Sequence, residues 1–311
     1  TIKLVEANSM MEGRVMKRLF GLFVLMSTLM LISCGTGKVL LNGLGFAENS
    51  VLTEDERLFV SSVGTFGNGG VFEIHANNGV FSRTKVNGMC NGATGLAQYE
   101  NYLFALCDNG SGINLSRADL SAETPVLETI LMLEGFVHPN GMGVNEYGTL
   151  YIADWPGQAA DKTSGKIVEV VDADTDSPRM YVLLGPDNGA SCPNGIYYDG
   201  GRLFYTNHDY SQGAPVAQIK MLNLNSDEIY PWTLHEEPGA NAPSLPGQGT
   251  LPYFDDLTYG EVDGESGVFV ADFNLGRIVF LSDDGVVRAQ PKNTLNSPTS
   301  VVQARGVFAE E

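Results

Sequence analysis

The chain is poor in positive charge. It holds 18 Lys and Arg against 37 Asp and Glu, for a formal net charge of -19. That balance argues against a nucleic-acid partner, which needs a basic surface. It also argues against electrostatic adhesion to anionic lipid. The acidic side chains are spread along loops, so they read as a solvated, self-repelling surface. Cysteine and histidine are scarce, with four of each. No CxxC or Cys/His zinc spacing is present. Strong amphipathic helices are missing after residue 35, as is any low-complexity linker that would divide the chain.

What the chain does have is a repeat. An apolar–aromatic pair recurs six times, as Leu58-Phe59, Leu103-Phe104, Leu150-Tyr151, Leu203-Phe204, Val268-Phe269 and Val307-Phe308. The aromatic members stand 45, 47, 53, 65 and 39 residues apart. A strand-built period of that size marks the blades of a propeller. Each pair opens a second strand, and the strand before it is an inner one, as in Gly141-Met142-Gly143-Val144. Third strands follow a glycine in several blades, as in Gly70-Val71-Phe72-Glu73-Ile74. Fourth strands follow turns such as Asn77-Asn78-Gly79. The expected fold is all-β: a six-bladed β-propeller with four-stranded antiparallel blades.

The sixth blade is short, because only three residues follow Phe308. The expectation is that N- and C-terminal strands close it, with Gly37 to Asn42 as the outer strand; closure removes exposed edges. The long 65-residue spacing comes from an insertion, Glu236 to Tyr253, rich in Pro, Gly, Ala and Ser. It reads as a functional loop.

The N-terminus is set apart from that fold. Met16-Lys17-Arg18 begins a basic region, and Leu19 to Ile32 is an apolar run too short to span a bilayer comfortably. The run ends in Leu31-Ile32-Ser33-Cys34, which looks like a bacterial lipobox with Cys34 as the lipid attachment site. Residues 1–33 are therefore expected to be an upstream extension and lipoprotein signal peptide, and 34–311 a single propeller domain. The protein is expected to be exported and lipid-anchored to the cell envelope, and Gly35 favours an outer membrane. The lipid is then the only membrane contact, and a monomer is expected. Three further cysteines, Cys90, Cys107 and Cys192, leave at least one free thiol. With a turn near Glu100-Asn101, Cys107 faces residue 94, so the register disfavours a Cys90–Cys107 disulfide.

The residues that enter the inner strands converge on the channel axis. Four of them are oxygen donors at one repeat phase: Glu48, Asn140, Asn194 and Asp255. Asn140 and Asn194 share a Pro-Asn-Gly context, in His138-Pro139-Asn140-Gly141-Met142 and Cys192-Pro193-Asn194-Gly195-Ile196. Two carboxylates and two amides, with no nitrogen or sulfur donor, suit calcium and disfavour zinc and copper. The plain alternative is turn chemistry, since Asn-Gly and Asp are ordinary turn residues. His138 and His208 are each more readily structural than catalytic. Asp154 and Asp272 end second strands and are expected to cap turns. Trp155, Tyr210 and Phe273 follow strand ends and are expected at the channel mouth or on the top face.

Phe46-Ala47-Glu48-Asn49-Ser50-Val51, the two Pro-Asn-Gly segments and Phe254-Asp255-Asp256-Leu257-Thr258 resemble the metal-site segments of the six-bladed calcium propellers. That superfamily includes gluconolactonases (senescence marker protein), diisopropylfluorophosphatase-like enzymes and paraoxonases. The resemblance implies one catalytic calcium held by Glu48, Asn140, Asn194 and Asp255, with Asp256 as a possible extra ligand. It departs from the pattern elsewhere. Thr94 and Asp108 stand where paraoxonases have a His pair. Asn49 and Gly141 stand where their second calcium has acidic ligands. Ser297-Pro298-Thr299-Ser300 lacks the histidine of the diisopropylfluorophosphatase-like enzymes.

The function this implies is a calcium-dependent hydrolase of lactones or esters, promiscuous toward phosphotriesters. Asp255 is the candidate base or nucleophile, and Asn140 and Asn194 orient the substrate; Thr94 and His208 are additional candidates. The alternative is a non-catalytic surface lipoprotein whose propeller binds a glycan, peptide or protein. A third reading, a strictosidine-synthase-like carbon–carbon bond former, shares the layout but not the full ligand set.

Overall fold

The computed structural model describes residues 2–3, 41, 43–64, 68–157, 164–209, 216–232, 252–283, 287–289, 295–304 and 308. Strands dominate them. A two-residue strand, β1 (Ile2–Lys3), comes first, and five sheets follow, antiparallel except where β6 pairs in parallel with β10. Blade 1 is β2 (Ala47–Leu52), β3 (Leu58–Ser62), β4 (Gly70–Asn77) and β5 (Val80–Lys85). In blade 2 the short β6 (Asn87–Gly88) adds to the outer edge of β7 (Gly92–Tyr99), β8 (Tyr102–Asp108), β9 (Ile113–Asp119) and β10 (Val126–Met132). Blade 3 is β11 (Pro139–Val144), β12 (Leu150–Asp154), β13 (Lys166–Val171) and β14 (Arg179–Leu184). Blade 4 is β15 (Pro193–Asp199), β16 (Arg202–Asp209), β17 (Val216–Asn223) and β18 (Glu228–Trp232). Blade 5 is β19 (Phe254–Val262), β20 (Glu265–Asp272), β21 (Arg277–Ser282) and β22 (Val287–Ala289).

The inner strands β2, β7, β11, β15 and β19 pack against one another in turn. The last strand, β23 (Val302–Gln303), touches both β19 and β2 and so holds the sixth inner position. The architecture is a β-propeller with five blades described. Of the expected strand from Gly37 to Asn42, only Leu41 is described, outside any strand; the rest lies outside the described residues. β1 pairs with β23, which sets Ile2 and Lys3 beside Val302–Gln303.

The apolar–aromatic pairs explain the core. Both residues of each pair sit on the second strand. In a pleated strand they point to opposite faces, so each blade offers one to each neighbouring blade. All ten residues in blades 1–5 are buried, from 0% exposed at Phe59, Phe104 and Phe204 to 5% at Leu58. Phe308 is also buried, at 4%. The outer strand of blade 1, Val80–Lys85, is by contrast exposed along most of its length.

Cys90 and Cys107 are joined by a disulfide, against the expectation from register, and Cys192 is free and buried. The ladder does pair Cys107 with Ala93. Cys90, however, belongs to the loop ahead of β7, which turns back so that the two Cα atoms stand 5.1 Å apart.

Candidate metal centre

Every inner strand of the five blades begins with a β-bulge. The pairing jumps from Ala47↔Ser62 to Ser50↔Val60 in blade 1 and from Ala93↔Cys107 to Leu96↔Ala105 in blade 2. It jumps likewise from Pro139↔Asp154 to Met142↔Ile152, from Pro193↔Asn207 to Ile196↔Tyr205, and from Phe254↔Asp272 to Leu257↔Val270. Two residues therefore face one, and the strand is re-aimed there. The bulged pairs are Glu48-Asn49, Thr94-Gly95, Asn140-Gly141, Asn194-Gly195 and Asp255-Asp256. The first member of each is the phase residue, and the four oxygen donors are among them.

Thr299 completes the set at the sixth position. Thr94 Oγ1 donates to the Pro139 carbonyl at 2.8 Å, and Thr299 Oγ1 donates to the Ala47 carbonyl at 2.6 Å. Each carbonyl belongs to the residue just before a donor, Asn140 or Glu48. The two threonines thus tie one blade to the next.

The second member of the bulge is glycine where blades approach most closely. A Cβ on Gly141 would stand 2.3 Å from the Asn194 carbonyl oxygen, and one on Gly195 would stand 2.6 Å from that of Asp255. This is the physical reason for Asn-Gly in both motifs.

The four donors come together in pairs. Asn140 Nδ2 donates to Glu48 Oε1 at 2.8 Å, across from blade 3 to blade 1. Asn194 Nδ2 donates to Asp255 Oδ1 at 2.7 Å. Asn194 Oδ1 is buried and has no hydrogen-bond partner among the described residues. Asp256 lies one layer deeper. Its Oδ2 accepts from Asn49 Nδ2 at 2.6 Å and from Ser300 Oγ at 3.2 Å, and its Oδ1 is buried with no hydrogen-bond partner among the described residues. Beyond this layer the channel widens into a cavity of about 490 Å³, walled by Met142, Ile196 and Val302 among others. Asn49 and Asp256 reach it, but the four donors do not line it.

The charges are crowded. Asp255 and Asp256 are each 6% exposed, and Glu48 keeps partial contact with solvent. None of the three has an ion-pair partner among the described residues. Burial pushes the Glu48 carboxyl up, against the Asn140 hydrogen bond that draws it down. Asp255 is held well above the ordinary carboxylate range, first by burial and then by the charges of Glu48 and Asp256. Asp256 is pushed up to about 7, chiefly by burial.

The aromatic residues gather over blades 3 to 5. Tyr253 stacks on His208 with ring centroids 3.9 Å apart and meets Trp155 and Phe273 edge-on at 6.4 Å. His138 is exposed and lies 5.8 Å from Trp155. His208 is 0% exposed, and burial lowers its pKa to about 4. Neither of its ring nitrogens has a hydrogen-bond partner among the described residues. Asp108 is exposed and accepts from the Gly110 N–H at 2.7 Å. Tyr210 lies outside the described residues.

Sequence reasoning missed a second shared position. The residue paired across from the one before each bulge is Ser62, Cys107, Asp154, Asn207 or Asp272. In every blade its side chain anchors the segment ahead of the inner strand. Ser62 Oγ donates to the Leu44 carbonyl. Cys107 forms the disulfide to Cys90. Asp154 Oδ1 accepts from the Val137 and His138 N–H groups, both at 2.9 Å. Asn207 Oδ1 accepts from the Cys192 N–H at 3.0 Å, and Asp272 Oδ1 from the Tyr253 N–H at 3.1 Å. A signal was present, because each lies four residues beyond the apolar member of its pair.

A β-propeller is the class that this ring defines, and solved propellers are what the chain resembles. No protein-family model matches it, and no curated protein matches it in sequence. A gluconolactonase from Xanthomonas campestris superposes with a TM-score of 0.52 at 16% identity, over 82% of this chain and 78% of that one. A virginiamycin B lyase from Staphylococcus aureus, solved in a catalytically inactive form with quinupristin, gives 0.51 at 12%, over 82% and 73%. An auxiliary nutrient binding protein from Bacteroides thetaiotaomicron gives 0.55 at 11%, over 83% and 64%. At these identities the likeness is one of fold.

Proposed function

We propose that the chain is a calcium-dependent hydrolase of lactones or esters, with phosphotriesters as a promiscuous substrate class. The observation that carries this reading is the bulge-aimed set Glu48, Asn140, Asn194 and Asp255. It is oxygen-only, it is crowded with carboxylates, and it contains a buried amide oxygen with no partner among the described residues. Leaving such an oxygen unsatisfied costs about 1–3 kcal/mol. A hard divalent cation would accept that oxygen and offset the carboxylate charge. No group of three or more His, Cys, Asp or Glu side chains fit to hold a metal stands among the described residues. Ligation therefore depends on the two amides. When bound, calcium would supply Lewis acidity toward a carbonyl oxygen. Glu48, Asn140, Asn194 and Asp255 would hold it. Asp255 is the group to accept a proton from water or to attack directly.

The second reading is a non-catalytic binder of a glycan, peptide or protein. It is favoured by the burial of His208, which leaves the exposed His138 as the accessible histidine near the site among the described residues. A lactone and ester panel on the chain lacking residues 1–34 separates the two. Turnover abolished by chelation and restored by calcium supports the hydrolase. Turnover that survives complete chelation overturns the calcium mechanism, and no turnover with calcium bound supports the binder.

A further inference from the structure

The residue on each second strand that pairs with the one before the bulge does more than close a turn. In blades 3, 4 and 5 it is Asp154, Asn207 or Asp272, each 0% exposed. Its carboxylate or amide oxygen accepts from the N–H of His138, Cys192 or Tyr253. Each of those lies two residues ahead of a candidate ligand, Asn140, Asn194 or Asp255. The offset is the same three times. In blades 1 and 2 the equivalent residues anchor a point four residues ahead of the phase residue instead, at Leu44 and Cys90. Asp108 in blade 2 faces Gly110 rather than the inner strand.

We propose that Asp154, Asn207 and Asp272 are positioning residues that fix Asn140, Asn194 and Asp255 in ligating geometry. The inference rests on the metal reading for its purpose but not for its geometry. The physical argument is that a bulge alone leaves its first residue free to swing. Fixing the backbone one pleat upstream removes that freedom before any ligand arrives. Outer partners of metal ligands typically change affinity by about 10- to 100-fold. Asn207 shows that an amide oxygen suffices, so Asn is expected to replace Asp in the other two.

The test uses Asp154, because Lys166, 3.5 Å away and partly exposed, can turn to solvent when the carboxylate is lost. Asp272 is a poorer choice, since it also pairs with the buried Arg277 at 3.1 Å. Calcium binding is measured by calorimetry well below the melting temperature. The Asn140 side-chain amide, bonded to Glu48, is followed by NMR without metal. The expected result is that Asp154→Ala binds calcium about 10- to 100-fold more weakly and shifts or broadens the Asn140 amide. Asp154→Asn should behave like the wild type in both. A merely structural role would lower the melting temperature and leave both readouts unmoved, and that result would overturn the proposal. Should Asp154→Ala fail to fold, Asn207→Ala asks the same of Asn194, with its amide as the signal, and strands no charge. If the wild type binds no calcium, the metal reading fails by itself. The amide signal then decides positioning: shifted in the alanine variant supports it, unshifted overturns it.

Discussion

Asp255 sits where ligation and chemistry overlap, and an isosteric change separates them. Asp255→Asn keeps an oxygen and the side-chain volume and removes one negative charge. If Asp255 is the base or nucleophile, hydrolysis is expected to fall by roughly 10²–10⁴-fold with calcium still bound. Glu48→Gln is the comparison: raising calcium should restore most of its activity. Equal rescue of both variants by calcium would reduce Asp255 to a ligand. His208 gives a test that needs no substrate. Its pKa is about 4 in the folded protein and 6.5 as the ordinary value. Between those pH values the unfolded chain binds more protons, so this group's contribution is complete above 6.5 and is lost as pH falls toward 4. The raised carboxyls act with the opposite sign, so the variant must be read by difference. His208→Phe keeps a ring against Tyr253, and its melting temperature relative to wild type should rise on acidification through that window. A difference that stays flat would place a proton or a partner on His208. The shared phase of the donors was legible in the sequence because Pro-Asn-Gly occurs twice, with Glu48 and Asp255 at the matching point of their repeats. Of the anchoring residues only Asp154 and Asp272 stood out, as turn caps; Ser62, Cys107 and Asn207 share no chemistry with them, and only the fixed offset from the apolar member of each pair links the five.

At the scale of strands, the apolar–aromatic pair announced each second strand and its burial. The bulges stayed hidden, since an extra residue leaves no mark on a period-2 pattern until the partner strand is known. The disulfide was misread for a related reason. Ladder register constrains only residues inside the ladder, and Cys90 lies ahead of it. The bond closes a loop with a sequence separation of 17. In the chain-entropy account, its loss costs about 3 kcal/mol. Cys90→Ala with Cys107→Ala should lower stability by that order in denaturant titration. It should leave calcium affinity close to wild type, since Thr94, the phase residue of blade 2, donates to the Pro139 carbonyl and is not among the proposed ligands. A large loss of affinity would instead make blade 2 part of the metal site. Gly141→Ala addresses the contact between blades 3 and 4. Its Cβ would also stand 2.7 Å from Ile196 N, backbone that cannot yield cheaply. A loss of about 1–3 kcal/mol is expected, and calcium binding should weaken with it.

Over the whole molecule, the repeat period located the ring, and the ring explains why four separated residues meet. Of the strands of the sixth blade only β23, paired with β1, is among the described residues. Cys34 and the apolar run ahead of it lie outside the described residues; among the described residues no helix is long and apolar enough to cross a membrane. The anchor proposal stands on sequence: Cys34→Ala should leave the precursor unprocessed or release the protein from membranes, and an unchanged mass and membrane fraction would overturn it. Calcium tests the assembled ring. Its four proposed ligands come from blades 1, 3, 4 and 5, so one ion would link blades that share few direct contacts across the channel. A ligand that binds only the folded state at a hundred times its dissociation constant stabilises by about 2.7 kcal/mol. For a chain of this size, each kcal/mol raises the melting temperature by about 2–4 °C. The expected rise is therefore about 5–10 °C, reversed by chelation and reduced in both Glu48→Gln and Asp255→Asn. A scaffold propeller without the ion would melt at one temperature in calcium and in chelator, and that outcome would remove the metal from the account of this fold.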